Sequence, residues 1–333
     1  MIIARASRDG LYGFIDRRGR WLIPPSFLAA TDFDGAGLAP VSYDYREWIL
    51  IDCKGKPAIG FSVSATRMLT GSGGLYSFEH NERWGFIGSD GQFRLEPRFS
   101  APSLAAKGSD LMHFLGGQCA VLAPCADLTN SGASHALGLI EESGNWLIEP
   151  SSLYLTYGDG SIVMDSRGFN EIGDPPWGFD YRPLGRITGP QLRVPFATAD
   201  CVRASRGGLI PFGRIKGRLN EIEDYTPPEC LSDSNMRWGL LSPTGLLVLP
   251  ATYDDIKYMC DGLCGVRLFD RWGFVDSKGN QVIKPQFQDV QPFSNGLAGA
   301  SDELLKWGFV DRKGNWVIRP SFDEIGPFVH IIS

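Results

Sequence analysis

The line RWGFVDSKGNQVIKP at residues 271–285 recurs along this chain, and no other feature narrows its possible folds as far. Copies read KWGFVDRKGNWVIRP at 306–320, RWGLLSPTGLLVLP at 237–250 and RWGFIGSDGQFRLEP at 83–97. Repeats of this length are supersecondary units that cannot bury their apolar face alone, so neighbouring copies must stack to share one core. Counted from Trp307, a turn glycine (Gly314) lies seven residues on and Pro320 thirteen on. The same frame, intact or worn, starts at Tyr12, Trp48, Trp84, Leu137, Trp177, Ile210, Trp238 and Trp272, which makes about nine units.

The letters of one unit predict its shape. Trp, Phe, Val and Ile after the start form a strand, and Asp-Ser-Lys-Gly (276–279) or Asp-Arg-Lys-Gly (311–314) turns the chain. Asp at the first turn position bonds the backbone ahead, and glycine at the fourth supplies the positive φ of a type I turn with a G1 bulge. A return strand follows and is expected to end at the proline, which cannot donate to a ladder. After an irregular connector, a third strand reads GLAPV (37–41), GQCAV (117–121), GLCGV (262–266) or GLAGA (296–300). Its small third residue, and the glycine after each Trp, suggest room left for a neighbouring backbone or ring.

The expected fold is therefore all-β, an array of about nine three-stranded antiparallel units without long helices, curved like a solenoid or closed as a ring. Closure would come from the N-terminal strand, MIIARAS, pairing with the last hairpin. With 41 Gly and 22 Pro among short apolar runs, turns are frequent. Residues 1–333 are read as one domain, its rhythm broken at residues 101–132, 168–176 and 220–233. Inserts in a repeat array gather on one face and often carry recognition.

Charge and cysteine usage exclude several classes. The net charge is −6 and the basic residues are scattered singly, so no stripe exists to neutralise phosphates, and nucleic acid is not an expected partner. The start, MIIARASRDG, has no apolar signal core, and no run approaches the roughly 18 apolar residues of a membrane span. Seven cysteines, an odd number in a chain too long to need staples, fit reduced thiols, and a cytoplasmic location is expected.

Taken together, [K/R]-W-G-[FL]-[IV]-D-x-x-G-x-x-[IV]-I-x-P-x-[FY] resembles the WG, or KWG, β-repeat family found mainly in bacteria. The likeness is strongest at Trp84, Trp238, Trp272 and Trp307 and weakest at Trp48, Trp177 and Ile210. It implies a module that binds other proteins and brings no catalytic residues to carry over.

Chemistry has few other footholds. Cys260 and Cys264 could be half a metal site, but Cys264 holds the small third-strand position, as does Cys119, and no second Cys or His pair at zinc spacing accompanies them. His113 and His135 stand near Cys119 and Cys125, so a Cys/His nucleophile in the 101–135 insert is conceivable. The pairs Asp254-Asp255 and Asp323-Glu324 recur at equivalent places, and repetition explains them. The base before each Trp (Arg83, Arg237, Arg271, Lys306) is expected along an aromatic face or a solvated edge.

The functional expectation is thus a non-catalytic protein that binds another protein, without cofactor or metal and not an enzyme. Within that class it is a bacterial immunity or inhibitor protein that neutralises a toxin or effector. Its acidic insert, with Glu221, Glu223, Asp224, Glu229 and Asp233, is the expected contact for a basic cleft. The alternative is a glycan or cell-wall ligand module using exposed Trp and Tyr platforms, followed by an enzyme with its site in the 101–135 insert.

Overall fold

The computed structural model describes residues 1–58, 61–69, 74–100, 112, 114, 117–124, 135–152, 155–157, 161–165, 178–183, 192–195, 201–202, 208–215 and 236–331. The expected inserts at residues 168–176 and 220–233, and most of 101–132, lie outside them. The chain packs as two compact units: Met1–Ala101 with Met112–Gly117 and Val282–Ser333, and Pro102–Leu111 with Gln118–Gln281. All regular structure among the described residues is strand.

In the first unit the strands Ile2–Arg8, Leu11–Ile15 and Trp21–Phe27 form one antiparallel meander. Leu38–Ser42 with Glu47–Asp52 repeats it, as do Leu75–His80, Arg83–Gly88 and Phe93–Ser100. Ala298–Ser301, Trp307–Val310 and Trp316–Phe322 repeat it again. The second unit builds the same meander from Gln118–Pro124, His135–Glu141 and Trp146–Ser152. There, too, Ile210–Ile215, Met236–Leu241 and Leu247–Tyr253 follow it. Each sheet thus joins the small-residue strand to the hairpin that follows it in the chain.

The return strands correct one expectation: they run through their prolines. Trp316–Phe322 contains Pro320, Trp21–Phe27 contains Pro24 and Pro25, and Leu247–Tyr253 contains Pro250. The register explains it. Trp307 pairs with Phe322 and Phe309 with Ile318, so two steps on one strand face four on the other. The surplus is a bulge, and a bulged edge strand accepts a proline because no ladder N–H is needed there.

That bulge also explains the glycine after Trp. A Cβ on Gly308 would lie 2.4 Å from the carbonyl oxygen of Ile318, and one on Gly13 2.5 Å from that of Ile23. Gly239 meets Leu249 in the same way at 2.4 Å. The space is taken by the unit's own return strand, rather than by a ring from a neighbour as the sequence suggested. Glycine and proline form one device, a bulge pressed onto a side-chain-free strand.

The expected turns are present. Asp311 Oδ1 accepts the N–H groups of Lys313 and Asn315 at 2.8 and 2.9 Å, the Gly314 N–H donates to the Asp311 carbonyl at 3.0 Å, and Gly314 has φ +83°. Turn glycines then seat on the preceding repeat. A Cβ on Gly55 would meet Ile23 at 3.4 Å, and one on Gly314 would meet Ile283 at 2.9 Å. Gly19 sits on Ile318 of the last repeat in the same way, at 2.9 Å. The first repeat therefore follows the last as each follows its predecessor.

Strand pairing across the chain's ends agrees. Ala6 and Ser7 pair with Ile325 and Glu324, and Ile2 and Ile3 with His330 and Val329. The Met1 amine donates to the Ile331 carbonyl at 2.9 Å. The N-terminal strand thus meets the residues beyond the last hairpin, not the hairpin itself. Ala4, Ala6, Ile15, Phe309, Ile318, Phe322 and Ile325 share one core cluster at this junction. Ala39, Cys119, Cys264 and Ala298, the small third-strand residues, are each fully buried.

Candidate functional site

Among the described residues the unit tryptophans are mostly core. Trp48, Trp84, Trp238 and Trp272 are buried, and Trp307 is half-buried. Cations cap two of these rings, Arg67 over Trp84 at 5.6 Å and Lys257 over Trp272 at 4.6 Å, and both come from other strands. The base before the Trp instead clasps a polar residue just past the return strand's last aromatic. Lys306 pairs with Asp323 and Arg237 with Asp254, while Arg83 donates to Ser100 Oγ at 2.9 Å. Asp254 also accepts the Phe269 N–H at 2.8 Å. The constant offset of 17 between these partners was visible in the sequence and is the signal that reading the motif alone passed over.

Those clasps sit beside the turns that lead into each Trp strand, and these turns carry unusual side chains. Their backbones enter the left-handed region, at Tyr45 (φ 61°), Phe269 (φ 50°) and Leu305 (φ 58°). Asp9–Gly10 fills an equivalent turn with residues suited to that geometry, and Asn81 does so beside Glu82. Bulky side chains there are outliers. They are also exposed: Phe269 85 %, Leu304 81 %, Leu305 63 %, Tyr43 58 % and Tyr45 55 %.

One group of these side chains joins a polar cluster within the first unit. Tyr12 holds the place of Trp and pairs across strands with Phe27, whose ring lies 5.1 Å from that of Tyr43. Tyr45 is near enough to act electrostatically on the Tyr12 hydroxyl. That hydroxyl donates to Glu324 Oε2 at 2.5 Å. Arg5 donates through Nη1 to Glu324 Oε1 at 2.8 Å and through Nε to Asp32 Oδ1 at 3.1 Å, and its guanidinium lies 5.2 Å from the Tyr12 ring centroid.

The protonation states follow from these contacts. Burial, then the hydrogen bond to Glu324, pushes the Tyr12 phenol up to about 12. Burial works against ionised Glu324, but its bonds from Tyr12 and Arg5 prevail and hold it below the usual carboxylate range. Burial likewise opposes charge on Arg5, and Asp32 and Glu324 outweigh it. The result is a guanidinium held by two carboxylates against the Tyr12 ring.

Of the residues singled out in the sequence, Glu221, Glu223, Asp224, Glu229 and Asp233 lie outside the described residues, as do His113 and Cys125. Cys119 pairs with Ile140 while His135 begins the same strand five residues earlier, about 17 Å away at strand rise, so the two do not meet. Cys264 donates to the Lys257 carbonyl at 3.1 Å, and burial pushes its thiol up. Among the described residues no group of three or more His, Cys, Asp or Glu could hold a metal.

The strands and turns above define an all-β repeat fold, and solved structures share it. A eukaryotic initiation factor superimposes with a TM-score of 0.56 at 10 % identity, over 97 % of this chain and 96 % of that one. The dihydro-heme d1 dehydrogenase NirN in complex with DHE does so with a TM-score of 0.53 at 11 % identity, over 99 % of this chain and 74 % of that one. Such identities speak for fold alone. Residues 12–46, 272–302 and 307–330 match the family described as WG containing repeat. Those three regions are WG-type β-repeats. No curated protein matches it.

Proposed function

We propose that this chain is a non-catalytic protein-binding repeat protein that presents its turn tips to another protein in the cytoplasm. One observation carries this reading: Tyr45, Phe269 and Leu305 are exposed at backbone positions that favour glycine or asparagine. A left-handed backbone costs a side-chain-bearing residue roughly 1–2 kcal/mol. Strain of that kind concentrates where a surface is used, and exposed large apolar groups mark contact sites. Neither stability nor solubility favours them, so contact with a partner is what they serve.

Within this class the finer reading is a bacterial immunity or inhibitor protein that covers the basic cleft of a toxin. Its support is the net charge of −6. The glycan reading loses four tryptophan platforms, because Trp48, Trp84, Trp238 and Trp272 are buried, and keeps the exposed rings of Tyr43 and Tyr45.

The test is capture from native lysate with the wild-type chain beside a variant carrying Tyr45→Asn, Phe269→Asn and Leu305→Gly. The variant is expected to unfold at higher temperature, since its turns are relieved, yet to lose the partner that wild type recovers. Repeated recovery of no protein, or equal recovery by both, overturns the reading. A captured partner that is not a toxin, or is not inhibited, removes the finer one.

A further inference from the structure

The aromatic and charged cluster at the junction of the first, second and last repeats can be read further. Resting on the protein-binding reading above, we propose that Tyr43 and Tyr45 form a guanidinium-binding surface whose occupant is an arginine of the partner protein.

The protein already holds one guanidinium there. Arg5 lies against the Tyr12 ring and forks onto Asp32 and Glu324, which is how aromatic and carboxylate groups together take a planar cation. Tyr12 is filled by this: Arg5 takes one side, and the ring packs partly into the cluster of Phe14, Phe27 and Val41. Tyr43 and Tyr45, both more than half exposed, carry open ring surface beside it. Charge favours a cation. Asp32, Asp44, Glu47 and Glu324 stand against Arg5 and Arg46.

The loop also carries its own hydrogen bonds. Asp44 Oδ1 accepts the N–H groups of Arg46 and Glu47, each at 2.8 Å, so the loop between the tyrosines is closed by its own side chain. Tyr45, at φ 61°, is 55 % exposed on this closed loop. Arginine suits this surface better than lysine, because a planar, weakly hydrated group stacks on a phenol ring and still bonds a carboxylate at its edge.

An arginine-rich peptide and its citrulline counterpart, which keeps the shape and loses the charge, test this by titration against the full chain. The arginine peptide is expected to bind at least tenfold more tightly than the citrulline one. Tyr43→Ala with Tyr45→Asn, which leaves net charge unchanged and suits the turn, is expected to weaken the arginine peptide by roughly tenfold. Equal binding of both peptides, or no loss in the double variant, overturns the proposal. Circular dichroism of that variant must match wild type; if it does not, Tyr43→Leu alone, which keeps the turn residue, is read in its place under the same criteria. Partner capture that survives in the double variant but fails with Phe269→Asn and Leu305→Gly overturns this surface and leaves the protein-binding reading standing. No capture by wild type, with peptide discrimination intact, does the reverse.

Discussion

The repeats that begin at Trp307 and Tyr12 share a frame and differ in what they do with its polar edge. In the last repeat Lys306 clasps Asp323, the neighbour of Glu324. The first repeat has Leu11 before Tyr12, so it has no base to make that clasp. Glu324 reaches across to it instead, taking bonds from Arg5 and Tyr12. Adjacent carboxylates thus serve adjacent repeats, one closing its own and the other latching the next. Exchange of Trp for Tyr supplies the hydroxyl that makes this possible, whereas the buried indole N–H of Trp84 has no hydrogen-bond partner. A small chemical change turns a purely structural position into part of a polar surface.

The shared part of the frame should be the most sensitive to change. Gly308→Ala and Gly13→Ala each drive a methyl group into a backbone carbonyl that cannot step aside, and each should cost about 3 kcal/mol in urea unfolding. A mild effect in one of the pair would show that the two bulges are not equivalent. Arg5→Met comes next, at about 2 kcal/mol, since it leaves Asp32 and Glu324 facing each other across a partly buried gap. Matching wild-type stability would mean that water replaces the guanidinium without loss.

Tyr12→Phe should cost about 1 kcal/mol, a single hydrogen bond to a half-exposed carboxylate. Its sharper signature is pH dependence. The folded phenol titrates near 12 against an ordinary 10.0, so its contribution is intact below pH 10 and is lost as pH rises toward 12. The depressed Glu324 works at the other end: its contribution is present above the ordinary carboxylate range and is lost as pH falls through the folded value. Thermal scans of Tyr12→Phe should therefore lose the alkaline slope and soften the acid one; unchanged slopes would place the hydroxyl in water. Lys306→Gln should do least, because both side chains of its pair are exposed, and its melting curve should overlay that of wild type.

Local chemistry was the part best read from letters. Asp311, Lys313, Gly314 and Asn315 make their turn within five residues, and Ala39, Cys119, Cys264 and Ala298 are buried as their shared position implied. Pro320 was misread as a strand end because a proline alone reads as a stop, while the bulge that tolerates it depends on pairing with Trp307 and Phe309. Lys306 is exposed, as the solvated-edge alternative expected, and its partner Asp323, just past the Trp316–Phe322 strand, was not foreseen. The expected contacts at Glu221, Glu223, Asp224, Glu229 and Asp233 lie outside the described residues, and the candidate surface came from elsewhere.

By itself, then, the sequence determined the repeat, its turns and its buried small residues, since each depends on neighbours within one unit. Only the tertiary structure decided that Arg5 and Tyr12 meet Glu324, more than 300 residues away, and that Tyr43 packs on Phe27, the cross-strand partner of Tyr12. The reason is physical: periodicity fixes which way a side chain points within its strand, but which strand it then faces is set by packing between repeats, which no local pattern records.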